Sequence, residues 1–196
     1  MTTLPITPSQ TVGPFFAYGL TAHQYGYDFN SLAEGELVDP IAHSAELIYV
    51  SGQIFDGNGQ PVSDAMIECW QADTQGQYST KPIAYPPHQA SFTGFGRLGT
   101  GTTRTNQFTF TTVKPGSTAT DSAPHINVIL FLRGSLRTLY TRLYFSDEPK
   151  ANNQDALLHS VDAERRHTLI AKKSREGHYQ FDIHLQGSDE TVFFDL

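Results

Sequence analysis

From His178 to Gly187 the chain reads HYQFDIHLQG, with Tyr179, Phe181, Ile183 and Leu185 alternating with His178, Gln180, Asp182 and His184. Successive side chains of an extended strand point to opposite faces, so this stretch defines one apolar face and one polar face at period two. Other short apolar segments recur between turn signals. ELIYVSGQIFD (46–56) and PVSDAMIECWQ (61–71) flank Gly57-Asn58-Gly59, a composition suited to a tight connection. NQFTFTTV (106–113) closes on Lys114-Pro115-Gly116, and RTLYTRLYF (137–145) reads as a partner strand of HINVILFLR (125–133). That last run is apolar on both faces, which predicts a central strand buried on two sides. The final TVFFDL (191–196) is expected to pair back across Gly187-Ser188, and one amphipathic helix is expected around 161–172. Many short strands with little helix predict a mainly β protein, a β-sandwich with long loops and one short helix.

Residues 1–46 carry Pro5, Pro8, Pro14 and Pro40 and no strong periodicity. They read as an extended N-terminal arm that packs on a partner, with 47–196 forming the single sandwich domain. The 196 residues suffice for one domain with a real core. One cysteine, Cys69, rules out an intrachain disulfide framework and a cysteine-built zinc cluster, and it reads as a buried structural residue. A net charge of −7 argues against a nucleic-acid partner. No apolar run approaches membrane-spanning length, and the start MTTLPITPSQ has no secretory pattern, so no membrane association and a cytoplasmic location are expected.

Of the eight histidines, His178 and His184 fall on a polar strand face and are expected in solvent; His159 and His167 lie too far apart for a chelating helical pair. His23, His43 and His88 lack a nearby ligand pattern, which leaves His125 pointing inward from a buried strand. A regular strand would set His125, Asn127, Ile129, Phe131 and Arg133 on one face. At about 3.3 Å per residue, Arg133 then stands roughly 26 Å from His125 and cannot serve a site there. Read from the strand alone, Arg133 is a surface cation in a basic stretch with Arg137 and Arg142.

The stretch VSGQIFDGNGQPVSDAMIECWQADTQGQY (50–78) resembles the signature of the intradiol ring-cleavage dioxygenases, with Gly52, Gly59, Pro61, Val62, Ala65, Glu68, Trp70, Gln71, Gly76 and Tyr78 at that family's spacing. FTTVKPG, PHIN, LYTRLYFSDEP and the arm segment TPSQTVGPFFAYGL extend the resemblance over nearly the whole chain. It implies a ferric site of two tyrosines and two histidines, donors that suit Fe(III), at which a catechol is bound and its ring opened by O₂.

Carried over by residue, Tyr78 matches the first tyrosine and His125 the first histidine. Asn127 stands where the second histidine belongs. GSTATDSAP (116–124) holds no second tyrosine, and the family's arginine before the first histidine is absent. The resemblance therefore implies no metal and no catalytic residue in this chain's own site (Tyr78, His125, Asn127). This pattern matches the iron-free chain of the family's two-chain branch, in which Fe(III) is held by a homologous β chain. The two chains build a higher-order α/β oligomer, and the substrates are protocatechuate and O₂. In that branch the iron-free chain lends substrate-binding residues in trans, which here are Arg133, Thr11, Gly13 and Pro14. Two other readings stand beside it: a self-sufficient iron enzyme with replacement ligands such as Tyr85 and His88, and a non-catalytic β-sandwich that only binds a partner. Trp70 is expected in the core, and Tyr78 and His125 as a hydrogen-bonded remnant.

Overall fold

The computed structural model describes residues 6–29, 31–44, 46–80 and 91–195. Ten strands occur among them: β1 (Leu47–Gly52), β2 (Ile54–Phe55), β3 (Met66–Gln71), β4 (Phe95–Gly99), β5 (Phe108–Val113), β6 (His125–Phe131), β7 (Leu139–Phe145), β8 (Ile170–Arg175), β9 (His178–Gln180) and β10 (Ile183–His184). Eight form one sheet in the order β4-β3-β6-β7-β8-β9-β1-β5, and β10 pairs with β2. The sheet folds over at its middle, where β7 and β8 share only the parallel pairs Tyr144–Ile170 and Phe145–Ala171. Its two four-stranded halves enclose Val50, Ile54, Ile67, Cys69, Phe108, Phe110, Ile126, Val128, Leu130, Phe145 and Phe181. This is the expected mainly β sandwich, with the strand ends nearly closing on each other.

The alternation at 178–187 holds, with Tyr179, Phe181 and Ile183 buried. The opposite face is not bare: His178 stacks on Tyr49 and His184 on Phe55, each half-buried. The final segment returns as expected, Thr191 donating to the His184 carbonyl and Phe194 to that of Tyr140. Gly57-Asn58-Gly59 makes its tight turn, with Asp56 Oδ1 accepting from the amides of Asn58 and Gln60. The strands on either side then part, because β1 pairs with β5 and β9 whereas β3 pairs with β4 and β6.

Two expectations fail. The helix at 161–172 is absent: Arg166–Leu169 form a 3₁₀ turn and Ile170 already begins β8. The sheet's need for a strand joining its halves outweighs a weak helical pattern rich in Val161, Thr168 and Ile170. Short α-helices stand instead at Phe16–Leu20 (α1), Pro149–Asn152 (α2) and Ala156–Ser160 (α3). Strand β6 is central, yet it is buried on one face only: Ile126, Val128 and Leu130 are in the core, while Asn127, Ile129 and Phe131 are partly exposed.

Lys114, of the Lys114-Pro115-Gly116 turn, joins the two halves. Its Nζ lies 2.9 Å from Asp147 and 2.6 Å from Glu148, over the Phe145 ring, and Asp147 also accepts from the Tyr179 hydroxyl at 2.9 Å. Burial alone would raise the Asp147 carboxyl, but the bonds from Lys114 and Tyr179 outweigh it and hold the group below 3.8. A carboxyl depressed in the folded state contributes stability that is complete above its unfolded value and is lost as pH falls through the folded one. Asp147→Asn is therefore expected to lower the melting temperature near neutrality, with the difference from the parent shrinking as pH falls through the folded-state pKa of Asp147. Parallel melting curves of parent and variant across pH 2–7 would contradict this assignment.

Candidate functional site

The region of the expected site spans three adjacent strands. Trp70 on β3 pairs in register with Asn127 on β6, and Asn127 with Arg142 on β7. Trp70 is not a core residue; it shares the strand face of Met66 and Glu68, is 45% exposed, and carries the Tyr78 ring at 4.5 Å. Asn127 connects the row. Its Nδ2 donates to the Tyr78 hydroxyl at 3.0 Å and to the Trp70 carbonyl at 3.2 Å, and its Oδ1 accepts from Arg142 Nε at 3.0 Å.

His125 begins β6 and is buried. Nδ1 lies 2.8 Å from the Ala123 carbonyl, which only accepts, so Nδ1 carries the proton. Nε2 is then a lone pair, and it is buried without a hydrogen-bond partner. Burial pushes the imidazole down from its usual pKa; the Ala123 carbonyl opposes this, and the nearby Arg142 charge adds to it. The strand entry is fixed from behind by Asp155, buried, which accepts from the Ala123 amide (2.8 Å), the Tyr144 hydroxyl (3.0 Å) and the Leu158 amide at the start of α3 (2.7 Å). Tyr78 therefore bonds to Asn127 and not to His125; the remnant is a Tyr78–Asn127–Arg142 chain with His125 held separately.

These residues do not fit a ferric ion. His125 keeps the tautomer and the free lone pair of a ligand, but position 127 turns its amide nitrogen toward Tyr78 and its oxygen toward a guanidinium. Arg142, bonded to Asn127 and near enough for its charge to lower the His125 pKa, adds a positive charge beside the residues that would have to hold the ion, and this opposes a trivalent cation. Among the described residues no cluster of three or more His, Cys, Asp or Glu is arranged to hold a metal. Tyr85 and His88, the alternative ligands, lie outside the described residues.

Arg133 follows the far end of β6 from His125, in the turn to β7. It is exposed, with its guanidinium 2.8 Å from Asp64. Thr11 joins it: its hydroxyl accepts from the Gly134 amide at 2.6 Å and donates to the Leu132 carbonyl at 3.2 Å. Gly13 and Pro14 follow, the Gly13 carbonyl accepting from the Phe16 amide as α1 begins, and the Phe16 ring packs on Phe131 at 5.4 Å. All four expected trans residues thus share one exposed rim, beside Phe15 (79% exposed) and Leu136 (60%). Asp64, Asp155 and the cross-strand role of Arg142 were missed from the sequence. The Arg142 pairing requires the β6/β7 register, which no local pattern supplies.

A β-sandwich that brings Tyr78 and Asn127 together at one strand end, with His125 beside them, gives the class of protein, and the comparisons with known proteins agree. The family model described as Dioxygenase matches residues 31–187. The chain is 50% identical, over an alignment of 202 positions that covers all of both chains, to the protocatechuate 3,4-dioxygenase alpha chain of Burkholderia cepacia. It is 32% identical, over 74% of this chain and 67% of the relative, to the protocatechuate 3,4-dioxygenase beta chain of the same organism. Among solved structures, the dioxygenase domain of a dioxygenase–carbohydrate-binding fusion from Streptomyces sp. SirexAA-E superposes with a TM-score of 0.59 at 26% identity, covering 95% of this chain and 99% of that one. The chain belongs to the intradiol ring-cleavage dioxygenase family.

Proposed function

We propose that this chain is the iron-free α subunit of a protocatechuate 3,4-dioxygenase, which opens protocatechuate with O₂ to 3-carboxy-cis,cis-muconate. In this reading a homologous β chain holds the Fe(III), and the pocket lies between the two chains in a larger α/β assembly. The exposed side chains of the N-terminal arm face that partner, while Leu37 of the same segment lies in this chain's own core and Glu36 bridges to Thr111, and the complex works in the cytoplasm. Among the described residues no helix is long and apolar enough to cross a membrane.

The observation that carries the reading is the Asn127–Arg142 pair at the position of the second histidine. The likeness to one protein named an alpha chain and another named a beta chain supports two homologous subunits, a pairing that would be pseudo-symmetric. The chemistry assigned to this chain is binding and orientation. The Arg133 guanidinium, held by Asp64 and by a turn pinned to Thr11, suits the ring carboxylate of protocatechuate and the anionic charge that develops on cleavage. Gly13 and Pro14 form wall at the same rim. A ferric ion held by the partner would supply the Lewis-acid activation of the catechol.

Metal content tests this. The chain purified alone is expected to carry no iron, and the chain with its partner about one iron per pair, with tyrosinate-to-iron visible absorption. Stoichiometric iron in the lone chain would overturn the reading and favour a self-sufficient site that includes Tyr85 or His88.

A further inference from the structure

We propose that Arg142 has taken the place of the metal in this chain: its guanidinium is the site's cation, it sets Asn127 and through it Tyr78, and its charge keeps iron out even where an imidazole is restored at position 127. The proposal rests on the reading above, that this chain's own site holds no iron.

The loss of ligands does not by itself account for the arrangement. Tyr78 is present, and His125 has its Nδ1 proton committed to the Ala123 carbonyl and its Nε2 lone pair buried and unused, as a metal ligand would. A histidine at position 127 would add a third donor, and three donors with open positions suffice for many iron sites. What stands against them is the row of side chains across β6 and β7. A guanidinium only donates, so Asn127 must turn its single side-chain oxygen to Arg142, at 3.0 Å, and present its NH₂ to Tyr78. The phenol oxygen that would bind a metal is thereby occupied as an acceptor. The ring is fixed by the same bond and by its tilted contact with the Trp70 ring, two contacts that replace the orientation a metal would impose. The direct cross-strand register of Asn127 and Arg142 keeps the charge on this face. Arg142 is thus a positioning residue for Tyr78 and an electrostatic exclusion device for the site.

The test uses the full chain with whatever partner copurifies, loaded with ferric citrate, desalted, and assayed for iron per copy of this chain against the parent treated identically. Asn127→His alone is expected to add no iron, and Asn127→His with Arg142→Lys, which keeps the charge, to add none. Asn127→His with Arg142→Gln is expected to add about one iron per copy and a visible tyrosinate-to-iron band, both removed by a further Tyr78→Phe. Iron gained by Asn127→His alone would overturn the exclusion role, and so would failure of the charge-free double variant to gain any while still folded by circular dichroism. Should Arg142→Gln not fold, Arg142→Met in the same background decides by the same readout. Iron in this site of the untreated parent, abolished by Tyr78→Phe, would instead sink the iron-free reading, so the two failures are distinct.

Discussion

Arg133→Ala is expected to reduce kcat/KM of the assembled enzyme for protocatechuate by about 100-fold, equivalent to about 2.7 kcal/mol of transition-state stabilisation. The expectation follows from where the guanidinium stands. It is 58% exposed along its side chain, so in the isolated chain its pairing with Asp64 contributes little to stability. It follows the opposite end of β6 from His125, so it serves nothing in this chain's own remnant. On the proposed reading, an arginine held by one carboxylate at a turn fixed by Thr11 is preorganised for a second anion that arrives with a partner surface. Catechol lacks the carboxylate, so the same variant should change its turnover only a few-fold, and the ratio of the two substrates is the measurement that decides. A parent-like preference for protocatechuate in the Arg133→Ala complex would assign the residue to the surface reading. Asp64→Asn, which loosens the guanidinium without removing it, is expected to lie between the two, at a loss of about 3–10-fold.

The fold was legible in the sequence where one face of a strand is apolar and the other is not. Tyr179, Phe181 and Ile183 are in the core because a period-two pattern leaves no choice of register. The face of Trp70 was not legible in the same way, because each face of β3 carries one polar residue and Glu68, two residues before Trp70, is itself buried against Arg97; aromatic character alone misled. Residues 161–172 were not legible locally, because Leu169 and Ala171 satisfy either a helix or a strand, and the arbiter is the pairing of β8 with β7 and β9. The site divides similarly. The family spacing identified Tyr78, His125 and the substitution at Asn127. Arg142 and Asp155 act across strands and loops distant in sequence, and such contacts are fixed by register and packing.

The signature that carries the resemblance also contains the position where the smallest change is expected to have the largest effect on stability. Gly52 ends β1 where the parallel neighbour β9 leaves the sheet, and the Phe181 amide donates to the Ser51 carbonyl at 2.8 Å. A Cβ at Gly52 would overlap the Phe181 carbonyl and lie 2.7 Å from Phe108 Cζ, so both a backbone segment and a core ring would have to move. Neither is the free end of a flexible side chain. Gly52→Ala is therefore expected to cost about 4 kcal/mol and to lower the melting temperature by about 10 °C. Gly59, seven residues on, is glycine for a different reason: its φ is +73° and nothing stands within 4 Å of its Cβ position. Gly59→Ala should cost only about 1 kcal/mol, the strain of a left-handed backbone. Guanidinium unfolding of the two variants separates close approach from backbone conformation, and equal midpoints would refute the packing account of Gly52. The same comparison explains why two glycines of one motif are needed: one admits a neighbouring strand, the other reverses the chain so that β3 can cross to the opposite half of the sandwich and bring Trp70 beside Asn127.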